Sequence, residues 1–354
     1  MIFGGIVTSC SILTDSHLKD EFRLAVLDTT QKSNPPPNFC NRLYLAVLRF
    51  IKYNYLICTF RPDLVLIFTS SGFSLLEKGL MSYWVKIFRI PVFLFPRGGG
   101  VLKNYQNSFI VRCLAQFAFA ASTKILCQGE QWESFFINEL GMSKSELQVI
   151  PNWTATDDLL EVGRSRVFNN HDVQNILFVG WLEKEKGIFE LLESLNNLKG
   201  KYKFLATFIG DGSAKSLFSN RINSYKLGGC VKLAGWHDRS ELKKFYSKAD
   251  IFVLPSWVEG LPNSMIEAMA CGLPVVVTDV GNVRSVLIDN YNGKLISPNN
   301  VPELSNALNQ LLDSIEMRKY LGKNAYRSTS TNFNSKDSIQ ILIKFLLKQV
   351  DFQK

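Results

Sequence analysis

Short apolar runs alternate with stretches of helical period along the whole chain. Runs at 22–28, 63–68, 91–95, 124–127 and 147–150 predict buried strands. Helices are expected between them at about 6–19, 38–58, 72–88, 106–121 and 130–139, with Pro35-Pro36-Pro37 marking a loop. Periodicity fades over 152–173, where Thr154, Asp157, Asp158, Asn169, Asn170 and His171 predict an interdomain linker. The alternation then restarts with strands at 174–180, 203–209, 230–234, 250–254, 274–277 and 294–296. Helices are expected at 187–198, 213–225, 238–247, 263–270, 301–313, 316–328 and 337–350. In the first of these, Ile188, Leu191, Leu192, Leu195 and Leu198 share one face. Strands alternating with helices imply parallel sheets.

The beginning departs from this pattern. Gly4-Gly5 reads as the turn after a first strand, yet only Met1, Ile2 and Phe3 precede it. A strand is missing there or reduced to a stub. A misplaced start and a real shortening both explain that.

Composition narrows the class. A length of 354 residues suggests two domains, and 46% apolar against 20% charged residues is globular. Seven cysteines (10, 40, 58, 113, 127, 230 and 271) show no paired or metal-like spacing, and there are three histidines. Buried reduced thiols in a cytoplasmic protein are expected. No signal peptide is evident, and apolar stretches such as Cys113 to Ala121 are too short to span a bilayer. The net charge of +9 is uneven: residues 41–112 hold ten Lys/Arg against Asp63 and Glu77. Leu75 to Ile90 mixes aromatics with Lys78, Lys86 and Arg89, which suits either an anionic membrane surface or an ordinary solvated helix face. No motif supports nucleic acid as a partner.

Three features carry candidate chemistry. Phe178-Val179-Gly180-Trp181 ends a strand, and Lys186-Gly187 opens a helix. A cation beside exposed helix N–H groups can seat a pyrophosphate, although a surface lysine in a turn explains the same residues. Ile209-Gly210-Asp211-Gly212 is a second strand-to-helix turn, without the glycine spacing of a dinucleotide fingerprint. Glu259 follows an apolar strand, and Glu267 lies eight positions on, in a helix starting near Asn263. Met265, Ile266, Ala268, Met269 and Ala270 flank Glu267, where a lone charge is costly. Between the two, Gly260 and Leu261 offer backbone N–H groups. Two acceptor-only carboxylates at the carboxyl edge of a sheet suit a ligand rich in hydroxyls.

The order of these blocks, with Val231-Lys232-Leu233-Ala234-Gly235, Ala249-Asp250-Ile251-Phe252-Val253-Leu254-Pro255-Ser256 and Asn292-Gly293-Lys294-Leu295-Ile296, resembles the retaining glycosyltransferases of family 4. The match is close over roughly 175–300. The first half matches in outline, through Gly4-Gly5 and Val149-Ile150-Pro151-Asn152. The resemblance implies an α/β protein of GT-B architecture, two Rossmann-like parallel-sheet domains facing a cleft. Expected divisions are 1–160 for an acceptor-binding domain, 161–335 for a nucleotide-sugar domain, and 336–354 for a helix packing back on the first.

The resemblance also implies roles. Glu267 would hold the ribose, Glu259 the donor sugar, the amides of Gly260 and Leu261 the sugar or phosphate, and Lys186 the departing pyrophosphate. Gly180, Trp181, Gly210 and Gly212 would line the donor site. The donor would be UDP- or GDP-linked, with no cofactor and no metal. The acceptor would be a glycan or lipid-linked intermediate of surface polysaccharide synthesis, handled at the inner face of the membrane.

Three positions depart from the family. Trp181 stands where an arginine is usual, leaving Lys184 or an N-domain arginine to compensate. Phe95-Pro96-Arg97-Gly98-Gly99-Gly100 stands where a histidine loop is common, so Arg97 and Gly98, like Gly4 and Gly5, are possible N-domain contacts. Gly281-Asn282-Val283-Arg284-Ser285 replaces a Gly-Gly-x-Pro-Glu turn, making Arg284 a phosphate contact or a surface residue. A non-catalytic sugar-nucleotide-binding protein and a GT-B-fold epimerase remain as rival readings.

Overall fold

The structure, a computed structural model, describes residues 5–30 and 37–351. Gly4, the residues before it and Pro35-Pro36 lie outside the described residues. The chain divides into two compact units, 1–152 with 336–354, and 153–335.

In the first unit, β1 (Val65–Thr69), β2 (Val92–Pro96), β3 (Lys124–Cys127) and β4 (Leu147–Val149) form a parallel sheet in that order. Every residue of β2 is buried, as a central parallel strand covered on both faces requires. Helices Phe73–Ile87, Phe109–Ala120 and Glu130–Leu140 connect the strands. Val85, Phe119, Trp132 and Phe136 anchor the core beneath them. The last helix, Ser335–Asp351, belongs to this unit from Lys336 onward. Its Phe345 ring meets Phe93 at 5.2 Å, and Ser338 Oγ donates to the Asn152 carbonyl at 3.0 Å.

The expected strand at 22–28 does not form. That segment has no regular structure and is largely exposed, with Val26 63% accessible. Its apolar content suits a strand, but among the described residues no strand pairs with it, and an unpaired strand is not stable alone. Helix Gly5–Asp15 also ends earlier than expected and is followed by a short helix, Leu18–Glu21.

The second unit is a six-stranded parallel sheet of β5 (Gln174–Val179), β6 (Phe204–Ile209), β7 (Val231–Gly235), β8 (Ile251–Leu254), β9 (Val275–Thr278) and β10 (Lys294–Ile296). Their order is β10-β9-β8-β5-β6-β7. The chain winds outward from β5 through β6 to β7, then crosses back to β8 on the other side of β5. Strand order therefore reverses between β5 and β8, where doubly wound sheets open a crevice at their carboxyl edge. Ile188, Leu191, Leu192, Leu195 and Leu198 all face the core.

The expected linker is partly a helix. Asp157–Arg164 is helical, buries Leu159 and Leu160, and packs on helices Arg239–Lys248, Asn263–Ala270 and Ile315–Asn332. Two turns with an acidic first turn are too short to display a period in the sequence, and the helix draws its stability from packing.

Candidate functional site

The loops after β5 and β8 bring Lys186 and Glu259 together at the switch point. Lys186 Nζ donates to Glu259 Oε1 at 2.6 Å, and both side chains are largely buried. Lys186 ends a single 3₁₀ turn, Lys184–Lys186, and Gly187 follows with φ +68°. A Cβ on Gly187 would lie 2.0 Å from the Pro255 carbonyl oxygen, so only glycine lets the two loops meet. The Trp257 amide also donates to the Glu185 carbonyl at 2.7 Å, tying the loops by backbone.

The glycine turn after β6 closes against the same edge. Gly210 has φ +142°, and a Cβ there would fall 1.8 Å from the Gly180 carbonyl oxygen. A Cβ on Gly212 would likewise fall 2.4 Å from the Leu182 carbonyl oxygen. Gly180, Trp181, Gly210 and Gly212 are thus neighbouring loop residues at the ends of β5 and β6. Lys184, one possible substitute for the missing arginine, sits over the Trp257 ring at 5.5 Å.

Gly260 and Leu261 are buried in the turn leading into helix Asn263–Ala270. The Gly260 carbonyl accepts from the Asn282 amide at 2.7 Å, which pins this turn to the loop after β9. Arg284, in that loop, is exposed and paired with Asp279 at 2.5 Å.

Glu267 lies in the helix at 4% exposure. Its Oε2 accepts from the Tyr246 hydroxyl at 2.8 Å. Burial pushes the Glu267 carboxyl above the usual carboxylate range, and the Tyr246 hydroxyl and the Arg239 charge act against that. Burial likewise raises the Tyr246 hydroxyl. Helix Arg239–Lys248, which carries Tyr246, is fastened at its end by Arg166. That guanidinium donates to the carbonyls of Tyr246 at 2.5 Å, Ala249 at 2.8 Å and Cys271 at 2.5 Å, capping two helices at once.

Sequence reasoning missed Tyr246, Arg166 and Trp257. Tyr246 and Glu267 are 21 residues apart on different helices, so no spacing rule links them. A lone tyrosine among charged residues just before Ala249-Asp250 was the available signal.

In the first unit, Arg97 is 7% exposed and turned inward. Its Nη2 donates to Ser9 Oγ at 2.7 Å, and Gln128, with its amide oxygen facing the guanidinium, accepts from Nη1 at 3.2 Å and Nε at 3.1 Å. Burial lowers its pKa to about 10. These bonds tie helix Gly5–Asp15 to the ends of β2 and β3. Gly98 packs against Ser70 across the β1 and β2 loops.

Residues 164–328 match the family model described as glycosyl transferases group 1. The chain is 25% identical over 243 residues to the lipopolysaccharide core biosynthesis glycosyltransferase LpsE of Rhizobium meliloti, covering 68% of this chain and 70% of that one. It is 27% identical over 226 residues to the N,N'-diacetylbacillosaminyl-diphospho-undecaprenol alpha-1,3-N-acetylgalactosaminyltransferase of Campylobacter jejuni, covering 61% and 58%. HepE of Anabaena, solved with UDP-glucose, superposes with a TM-score of 0.68 at 20% identity, over 86% of this chain and 82% of that one. Two parallel α/β units with this likeness make the fold GT-B.

Proposed function

This chain carries a glycosyl transferases group 1 domain over residues 164–328, and from that premise we propose that it moves a sugar, with retention, from a nucleoside-diphosphate sugar to a glycan or lipid-linked acceptor in surface polysaccharide synthesis. The observation that carries the reading is the Lys186–Glu259 pair at the switch point.

In this reading the diphosphate takes over the Lys186 ammonium. The freed Glu259 carboxylate then accepts hydrogen bonds from sugar hydroxyls, and the amides of Gly260 and Leu261 face the donor. Glu267, oriented by Tyr246, accepts from the ribose. As the bond between the anomeric carbon and the diphosphate oxygen breaks, negative charge grows on the leaving group. Lys186 and the backbone N–H groups stabilise it without reorganising. The acceptor oxygen bonds to the anomeric carbon on the same face, and its proton passes to the departing diphosphate. This route needs neither a protein base nor a metal ion.

HepE was solved with a UDP-sugar, and the name of the Campylobacter relative includes a diphospho-undecaprenol acceptor. Both support a nucleoside-diphosphate donor and an acceptor at a membrane surface.

Thermal melts with UDP-, GDP- and ADP-sugars test the donor. A ligand bound only by the folded state at a hundred times its Kd adds about 2.7 kcal/mol, so one class should raise the melting temperature. If none does, the reading fails. The anomeric configuration of the product, read by NMR, tests retention.

A further inference from the structure

Helix Phe39–Phe60 is the most unusual element of the molecule. It is 22 residues long and is apolar enough by length and composition to cross a membrane, although only 11% of its most apolar window is buried. Counting uninterrupted apolar residues overlooks it, because Arg42, Arg49 and Lys52 break the run.

Its two faces differ. Tyr53 and Ile57 point into the core of the first unit, the Tyr53 hydroxyl lies 3.5 Å from the Met81 carbonyl, and Arg49 pairs with Glu77 at 2.6 Å. The opposite face carries Tyr44, Leu48, Ile51 and Tyr55 at i, i+4, i+7 and i+11, with Leu43 and Val47 beside them. All are exposed: Tyr44 is 62% accessible, Ile51 61% and Tyr55 65%. The apolar surface continues on the neighbouring helices. Phe73–Ile87 packs against Phe39–Phe60 through Trp84 on Phe50, and exposes Leu80, Tyr83 and Ile87. Phe109–Ala120 packs on that second helix and exposes Phe109 and Ile110.

Charge identifies what covers this surface. Lys52, Arg61, Lys86, Arg89 and Arg112 are exposed on these helices and their adjoining turns. On the same helices and turns the acids are Glu77, already bonded to Arg49 and Lys78, and Asp63, exposed two residues after Arg61. A broad apolar face with an excess of cations beside it complements an anionic lipid surface. A protein partner of mixed charge would leave those cations unmatched.

We propose that helix Phe39–Phe60 lies in the plane of an anionic membrane, its Tyr44-Leu48-Ile51-Tyr55 face among the headgroups and upper acyl chains and its cations on lipid phosphates. It does not span, because its inner face is part of the unit's core. The inference does not rest on the sugar-transfer reading. Nucleotide-sugar melts on lipid-free protein test that reading separately.

Flotation of the full chain with phosphatidylcholine vesicles, with and without phosphatidylglycerol, is the test. Binding should need the anionic lipid and fall at high salt. The I51E/Y55E variant should lose about tenfold or more in binding. The K52E/R89E variant should lose as much, since each cation near a charged membrane surface contributes roughly fivefold. Both variants alter solvent-facing side chains, so their melting temperatures should match the parent. Equal binding to neutral vesicles, no binding at low salt, or unchanged binding in the variants overturns the proposal. So does a lipid-free dimer that I51E/Y55E dissolves, which would assign the face to a second copy.

Discussion

Lys186 and Glu259, 73 residues apart, form a 2.6 Å ion pair between the loops that follow β5 and β8. The pair neutralises both charges before any ligand arrives. If these residues hold the donor as proposed, the donor exchanges one partner for another and does not meet a bare cation.

Exchange has a measurable signature. Lys186→Ala should lower turnover about 10²–10³-fold and weaken nucleoside-diphosphate binding, as loss of a transition-state charge does. Glu259→Gln frees the lysine. That variant should bind the free nucleoside diphosphate as tightly as the parent or more tightly, while turnover falls. Calorimetry with the diphosphate alongside initial rates separates the two, and weaker diphosphate binding in Glu259→Gln would contradict the exchange.

Glu267 should trade stability for binding. Its folded pKa is raised by burial, so the folded protein holds the proton more tightly than the unfolded chain. Its contribution to stability is greatest below the unfolded carboxyl pKa and is lost as pH rises through the folded one. Glu267→Gln keeps an acceptor for Tyr246 and removes the buried charge. It should melt higher than the parent at pH 8, with the gain shrinking toward pH 5, and should bind the donor more weakly. A gain that grows on acidification would refute this assignment.

Tyr246→Phe removes the hydroxyl that partners Glu267. An unsatisfied buried carboxylate costs about 1–3 kcal/mol, so the variant should be less stable at pH 8 and closer to the parent at pH 5. Donor KM should rise more than kcat falls, because the carboxylate is misoriented and not removed. A nucleotide lacking ribose hydroxyls should bind parent and variant alike.

Arg166→Ala tests the helix caps. Three carbonyls at the ends of two helices lose their donor together, and a stability loss of about 2–3 kcal/mol is expected from thermal or urea unfolding. Lysine should not rescue it, since one ammonium cannot reach three diverging carbonyls.

The sequence by itself determined most of the elements, the parallel character of both sheets and the loops that carry the candidate residues. These follow from local periodicity and from glycines at strand ends, which nearby residues encode. Glu267 in a buried helix was legible for the same reason, because its apolar neighbours are adjacent in the chain. Tertiary structure alone decided the pairings. That Lys186 meets Glu259, that Tyr246 meets Glu267 and that Arg97 turns inward to Ser9 and Gln128 depend on strand order and helix packing across 21 to 88 residues. It also decided two failures of local pattern. Among the described residues the apolar segment 22–28 pairs with no strand, and the polar segment after Thr156 becomes a helix because other helices cover it. Periodicity reports what a segment could bury, and packing decides whether anything is there to bury it.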